Sequence, residues 1–188
     1  MPEPVFTSKA DVAYALIRQR ILDGTLAAGS KLAQYDLAGA RQLLEARRAL
    51  EPAAVALAAG RRTDEDVARM EAALKRLRPV TRRWGETALA AHREVHRALY
   101  CASHNEVMVR MLDDLWDKSD RYRRVGLQLP PGGEDRTRDF EEHHELVRLV
   151  VAGESEEAAA LMASHVDHSL TAAVLAAEGE TDATAAAG

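Results

Sequence analysis

Apolar side chains return every three or four positions along most of this chain, the spacing of one face of an α-helix. The first such stripe runs through Val12, Ala15, Leu16 and Leu22, predicting a helix from about residue 8 to Asp23 with Gly24 as its C-terminal cap. Residues 25–32 read as a turn leading into a short extended piece. A new helix is expected to start at Tyr35-Asp36-Leu37-Ala38 and to be cut off by Gly39. From Arg41 the stripe Leu43, Leu44, Arg47, Leu50, Ala54, Leu57, Ala58 predicts a long helix, with a kink or break near Glu51 because Pro52 lies inside it. Thr63-Asp-Glu-Asp66 supplies a capping hydroxyl followed by acids suited to the positive helix end, and Val67, Met70, Leu74 and Leu77 continue that helix towards Pro79. Further helices are predicted from about residue 87 to Cys101 and from Asn105 through Val107, Met108, Met111, Leu112, Leu115 and Trp116. A loop follows at 130–133, then helices at about 136–152 and 155–177 divided by Gly153-Glu154, and a small, polar tail at 179–188.

Composition narrows this picture to an all-α protein. Of 188 residues, 47% are hydrophobic and only 4% aromatic, with β-branched residues scattered rather than clustered, so a helical bundle is expected and little sheet. The mean hydropathy of -0.29 and the lack of a long apolar run or leader suit a cytoplasmic chain that spans no membrane. The single Cys101 excludes an intrachain disulfide framework. A net charge of -5 gives no global attraction to nucleic acid, and within residues 1–40 Lys9, Arg18, Arg20 and Lys31 are matched by Glu3, Asp11, Asp23 and Asp36.

The candidate chemistry lies in the histidines. His92 and His96 are four residues apart on a predicted helix, so their imidazoles project from one face and can grip one metal ion. His143 shares a face with Leu146, Val147 and Val150, and His165 follows Leu161 and Met162 in the same manner, so both point towards a common interior. His144 is turned about 100° from His143, so only one of the two faces the centre. His168 is a substitute for His165 or a partner to it, and His104 falls at a helix junction as a surface or capping residue. In His92-Arg-Glu-Val-His96 the glutamate is third, about 200° around the helix from His92, which denies it the general-base role of a metalloprotease motif. No Glu-x-x-His pair faces it to build a di-iron bundle.

The order of motifs resembles the GntR family of bacterial transcription regulators, in the FadR-type branch with an all-helical FCD effector domain. The N-terminal trace is Gly24-Thr-Leu26-Ala-Ala-Gly29-Ser-Lys-Leu32 followed by Asp36-Leu37-Ala38, with Ala28 where proline is usual. The effector-domain trace is Glu45-Ala-Arg47-Arg-Ala-Leu50-Glu51-Pro52, His96-Arg-Ala-Leu99 leading to Ser103-His-Asn105, Glu142-His143 ten residues before Gly153, and Ala158 to His165. The resemblance implies a partial winged helix-turn-helix at 1–40, an FCD-like antiparallel helical bundle at 41–178 and a flexible tail at 179–188. It also implies a divalent metal at His92, His96, His143 and His165, where the family usually has aspartate at the first position. An imidazole there removes one negative charge, which favours Zn or Ni over harder ions and an anionic ligand over a neutral one. Arg47 and Asn105 match positions expected near an effector, with a salt bridge and a helix cap as their alternative roles.

One departure bears on function. After Leu37-Ala38 the family continues into a turn, recognition helix, further helix and wing, whereas here only Gly39-Ala40 precede Arg41. The expected activity is that of a ligand-responsive, homodimeric DNA-binding regulator that binds metal and a small organic acid and, when its DNA-binding head is whole, operator DNA. An effector-only dimer that does not touch DNA and a metal-dependent hydrolase are the alternatives. The hydrolase lacks a placed carboxylate base.

Overall fold

The computed structural model describes residues 37–81, 83–126 and 133–169. The chain divides into two compact units, Met1–Gln34 and Tyr35–Gly188, and the described residues all belong to the second. They form six helices and no strand: α1 (Leu37–Arg61), α2 (Asp64–Arg76), α3 (Gly85–Cys101), α4 (Glu106–Gly126), α5 (Gly133–Ala152) and α6 (Ser155–Asp167). The helix expected at 8–23 with its Gly24 cap, the turn at 25–32, the loop residues before Gly133 and the tail at 179–188 lie outside the described residues.

The long helix α1 organises the bundle. It packs along α6 and also touches α3, α4 and α5, burying Leu44, Ala54, Val55, Ala58 and Ala59 in the main core. Neither Gly39 nor a break at Pro52 ends α1. Gly39 sits within the first turn of α1, and its backbone is not among the positive-φ glycines, which are Gly85 and Gly153. A glycine ends a helix when it takes the left-handed conformation after the last turn, so its presence near a helix start carries no stop signal. Pro52 lies inside α1 without breaking it. The hydrogen bond it forfeits is a local loss, which burial of the flanking stripe in the core offsets.

Short connections are held by specific caps. Thr63 accepts a hydrogen bond from the Asp66 N–H at 3.2 Å, and its own N–H donates to Asp66 Oδ2 at 2.9 Å, completing a capping box for α2. Asn105 Oδ1 accepts from the Met108 N–H at 3.2 Å to start α4. Gly153, at φ +85°, ends α5: its N–H returns to Val150 O and that of Glu154 to Leu149 O, the paired bonds of a Schellman motif. α6 ends at Asp167, with the N–H groups of His168 and Ser169 turned back onto His165 O and Val166 O, and the stretch from 170 to 177 expected to be helical lies outside the described residues. Along α4, Leu112 and Trp116 are buried, but Val107 and Met111, expected on the same stripe, are exposed at the helix flank. The inward line of α4 continues instead through Ser119 and Arg123, both buried.

Candidate metal centre

The four predicted histidines converge because each lies on the buried stripe of its own helix. On α3 the inward side chains are Ala88, Leu89, Ala91, His92, Val95, His96 and Leu99, a stripe of helical spacing that carries both imidazoles into the interior. His143 is one turn from the buried Leu146 and Val147 of α5. His165 lies beside Met162 and Val166 on α6. All four are buried, and one ring nitrogen from each falls within 4.8 Å of the other three.

Hydrogen bonds on the far sides of two rings fix which nitrogen carries the lone pair, and a third ring is held by a hydroxyl. His143 Nδ1 lies 2.5 Å from the Asp139 carbonyl oxygen, which only accepts, so Nδ1 carries the proton and Nε2 the lone pair. His165 Nδ1 lies 2.8 Å from Glu142 Oε2, with the same consequence. His96 Nδ1 meets the Tyr100 hydroxyl at 2.7 Å, a group able to donate or accept. Inside the cluster His96 Nε2 is 3.0 Å from His143 Nε2 and 3.3 Å from His165 Nε2. Nitrogens bound to one tetrahedral ion at its usual bond length are separated by about 3.3–3.4 Å, close to both separations from His96 Nε2.

Burial sets the protonation of these groups. It lowers the pKa of His92 and His96 well below the usual imidazole value, reinforced by neighbouring imidazoles, and lowers that of His143 to about 4. These rings are therefore neutral near pH 7, the form that binds metal. Burial raises the pKa of Tyr100, and the charge of Glu51 raises it further, so its hydroxyl keeps its proton. For Glu142 burial acts upward, but hydrogen bonds from His165 and Arg138 outweigh it and hold the carboxylate low.

The wall of the cluster is unusually rich in charge for a helical core. Arg47 is buried and its Nε donates to Glu51 Oε1 at 2.6 Å, also buried, while Glu51 Oε2 lies 3.8 Å from His96 Nδ1. Trp116 has two guanidinium groups over its ring, Arg47 at 5.2 Å and Arg123 at 4.5 Å, a cation–π arrangement on a ring that also packs on His96. Its Nε1–H is buried without a hydrogen-bond partner. Arg123 donates to Asp120 at 2.9 Å and to His92 Nδ1 at 2.8 Å, and burial lowers its pKa to about 10, leaving it charged.

The remaining candidates fall elsewhere. Arg47 stands in the wall of the cluster, with its Nε engaged by Glu51. Asn105 spends its Oδ1 on the α4 cap. His144 and His168 are exposed and turn their Nδ1 atoms to the carbonyls of Phe140 and Ser164. His104 adopts a left-handed φ of 51° at the α3–α4 turn and reaches Asp66 Oδ2 at 2.7 Å. Glu94 faces solvent and pairs with Arg76 at 2.8 Å.

Sequence reading missed Asp139, Arg123, Glu51 and Trp116 as parts of this site. Asp139 had a usable signal, since it precedes His143 by four residues, the spacing that singles out His92 and His96. Arg123 had none, because an arginine near a helix end is ordinarily solvated.

The FCD domain family matches residues 42–168, which include every histidine of the cluster. The HTH-type transcriptional regulator LutR of Bacillus subtilis (strain 168) is 32% identical over 130 residues, which cover 67% of this chain and 58% of that protein. The match thus spans less than two thirds of that relative. Among solved structures, E. coli McbR/YncC superposes with a TM-score of 0.64 at 22% identity, covering 91% of this chain and 81% of the other, a likeness of fold.

Proposed function

Because the chain belongs to the FCD-domain branch of the GntR family, we propose that its helical bundle is the sensing domain of a homodimeric transcription regulator, binding one divalent metal and a small carboxylate effector. The observation that carries this reading is the convergence of three Nε2 atoms from three different helices, with His92 in the same cluster. Nitrogen donors favour zinc or nickel. Bound there, such an ion supplies a Lewis-acidic positive charge able to hold an anion. The chain's own residues do the rest: Asp139, Glu142 and Tyr100 orient the imidazoles, and α1, α3, α5 and α6 bring them together.

Sensing rather than catalysis follows the regulator family to which the chain belongs. Glu94 is at the surface, away from any water an ion could activate. In a sensor the ligand changes the relative stability of two arrangements of the helices, and a DNA-binding head attached to them transmits the difference to operator DNA. A second reading, an effector dimer that does not bind DNA, is favoured by one observation. Residues 38–41, where the resemblance calls for a turn, recognition helix and wing, lie within the single helix α1.

The test is metal analysis and DNA binding on the same preparation. About one ion per chain is expected in the wild type, and both His96→Ala and His143→Ala should lose it. Retention of the ion by both variants would refute the shared centre. A carboxylate that shifts DNA affinity in the metal-loaded protein supports the regulator. Ligand binding by a dimer inert towards DNA supports the second reading.

A further inference from the structure

His92 stands apart from the other three imidazoles. Its Nδ1 lies 2.8 Å from Arg123 NH2, and a guanidinium can only donate, so the Nδ1 lone pair is already committed. The neutral ring then carries its proton on Nε2, the nitrogen that faces Asp139 Oδ1 at 3.5 Å. A ring with one nitrogen accepting from arginine and the other protonated has no lone pair to give an ion. The other three histidines each have an Nε2 that can face the centre unprotonated.

Asp139 has the complementary peculiarity. Its side chain is only a quarter exposed, and its ion-pair partners among the described residues are His92 and His165, the latter at 4.0 Å from Nε2. The nearby guanidinium groups are engaged with other acids, Arg47 with Glu51 and Arg123 with Asp120. Among the described residues this largely enclosed carboxylate makes no ion pair with an arginine or lysine, and the side chains it faces are ring nitrogens of the cluster. Its backbone is already part of the cluster, because the Asp139 carbonyl accepts from His143 Nδ1.

Resting on the metal reading above, we propose that Asp139 is the carboxylate ligand of the centre, completing a set with His96, His143 and His165, and that His92, held by Arg123, is a positioning residue that aims Asp139. The carboxylate that the family resemblance places on the helix of His92 is thus supplied here from α5, one turn before His143. A dication with three imidazoles keeps two positive charges in a buried site, whereas a carboxylate ligand removes one.

Cobalt(II) added to the metal-free full chain tests this directly through single cysteine substitutions. A thiolate that ligates cobalt gives an intense near-ultraviolet sulfur-to-metal charge-transfer band. The expected result is this band in Asp139→Cys and not in His92→Cys, together with at least a tenfold weaker zinc affinity in Asp139→Asn. The band in His92→Cys, or cobalt bound without the band in Asp139→Cys, overturns the assignment. A helical wild-type chain that binds neither cobalt nor zinc removes the metal reading itself. Circular dichroism of each variant separates lost ligation from lost folding.

Discussion

Asp66 shows how one side chain joins two parts of the bundle. Its carboxylate caps α2 through Thr63, takes a salt bridge from Arg69 at 2.5 Å and meets His104 at 2.7 Å while almost fully buried. Burial alone would raise its pKa, but the bonds from Thr63, Arg69 and His104 overcome this and hold it well below the usual carboxylate range. With the folded value depressed, the stabilisation is fully present above the unfolded-state value near 4 and fades as pH falls. Asp66→Asn should therefore cost about 1 kcal/mol at pH 7 by urea unfolding. The gap from wild type should narrow below about pH 4, and a gap of constant size would show that the charge of Asp66 contributes nothing. The capping box was legible in Thr63-Asp-Glu-Asp66, because it is made within four residues. The reach of His104 was not, since it crosses from the α3–α4 turn to α2 and depends on how the helices pack.

At the level of elements, the end of α5 shows why some helix limits are readable. Gly153-Glu154 marks the break in sequence, and the positive φ of Gly153 supplies the physical reason. A Cβ at Gly153 would lie 3.2 Å from Arg62 NH2, whose guanidinium bonds the Val151 carbonyl at 2.7 Å and also reaches the Ala59 carbonyl, linking the ends of α1 and α5. Gly153→Ala should destabilise the protein by about 1–2 kcal/mol in denaturant unfolding. No measurable change would mean that this turn relaxes without strain. Gly39 and Pro52 had the same punctuating character in sequence, yet α1 passes through both. Their local cost is opposed by contacts with α3, α4, α5 and α6, which a window of a few residues does not contain.

For the whole molecule, the proposed centre would tie α3 to the α5–α6 pair, so metal binding should act as a clamp on the fold. Zinc at about a hundredfold over its dissociation constant should raise the thermal midpoint by about 5–10 °C, and chelation should reverse the shift. His143→Ala should show neither response; a full response in that variant would place the bound ion elsewhere. The sequence by itself determined the helical class, most helix positions and the inward direction of His92, His96, His143 and His165, because each follows from periodicity within one helix. It also carried the family resemblance, through motifs whose order survives along the chain. Only the tertiary structure decided that Arg123 claims His92, that Asp139 faces the imidazoles, and that Arg47 and Arg123 both reach the Trp116 ring. Those relations join α1, α3, α4 and α5. Periodicity states which way a side chain points from its own axis, whereas the nitrogen it turns to a neighbour depends on the packing of helices far apart in sequence.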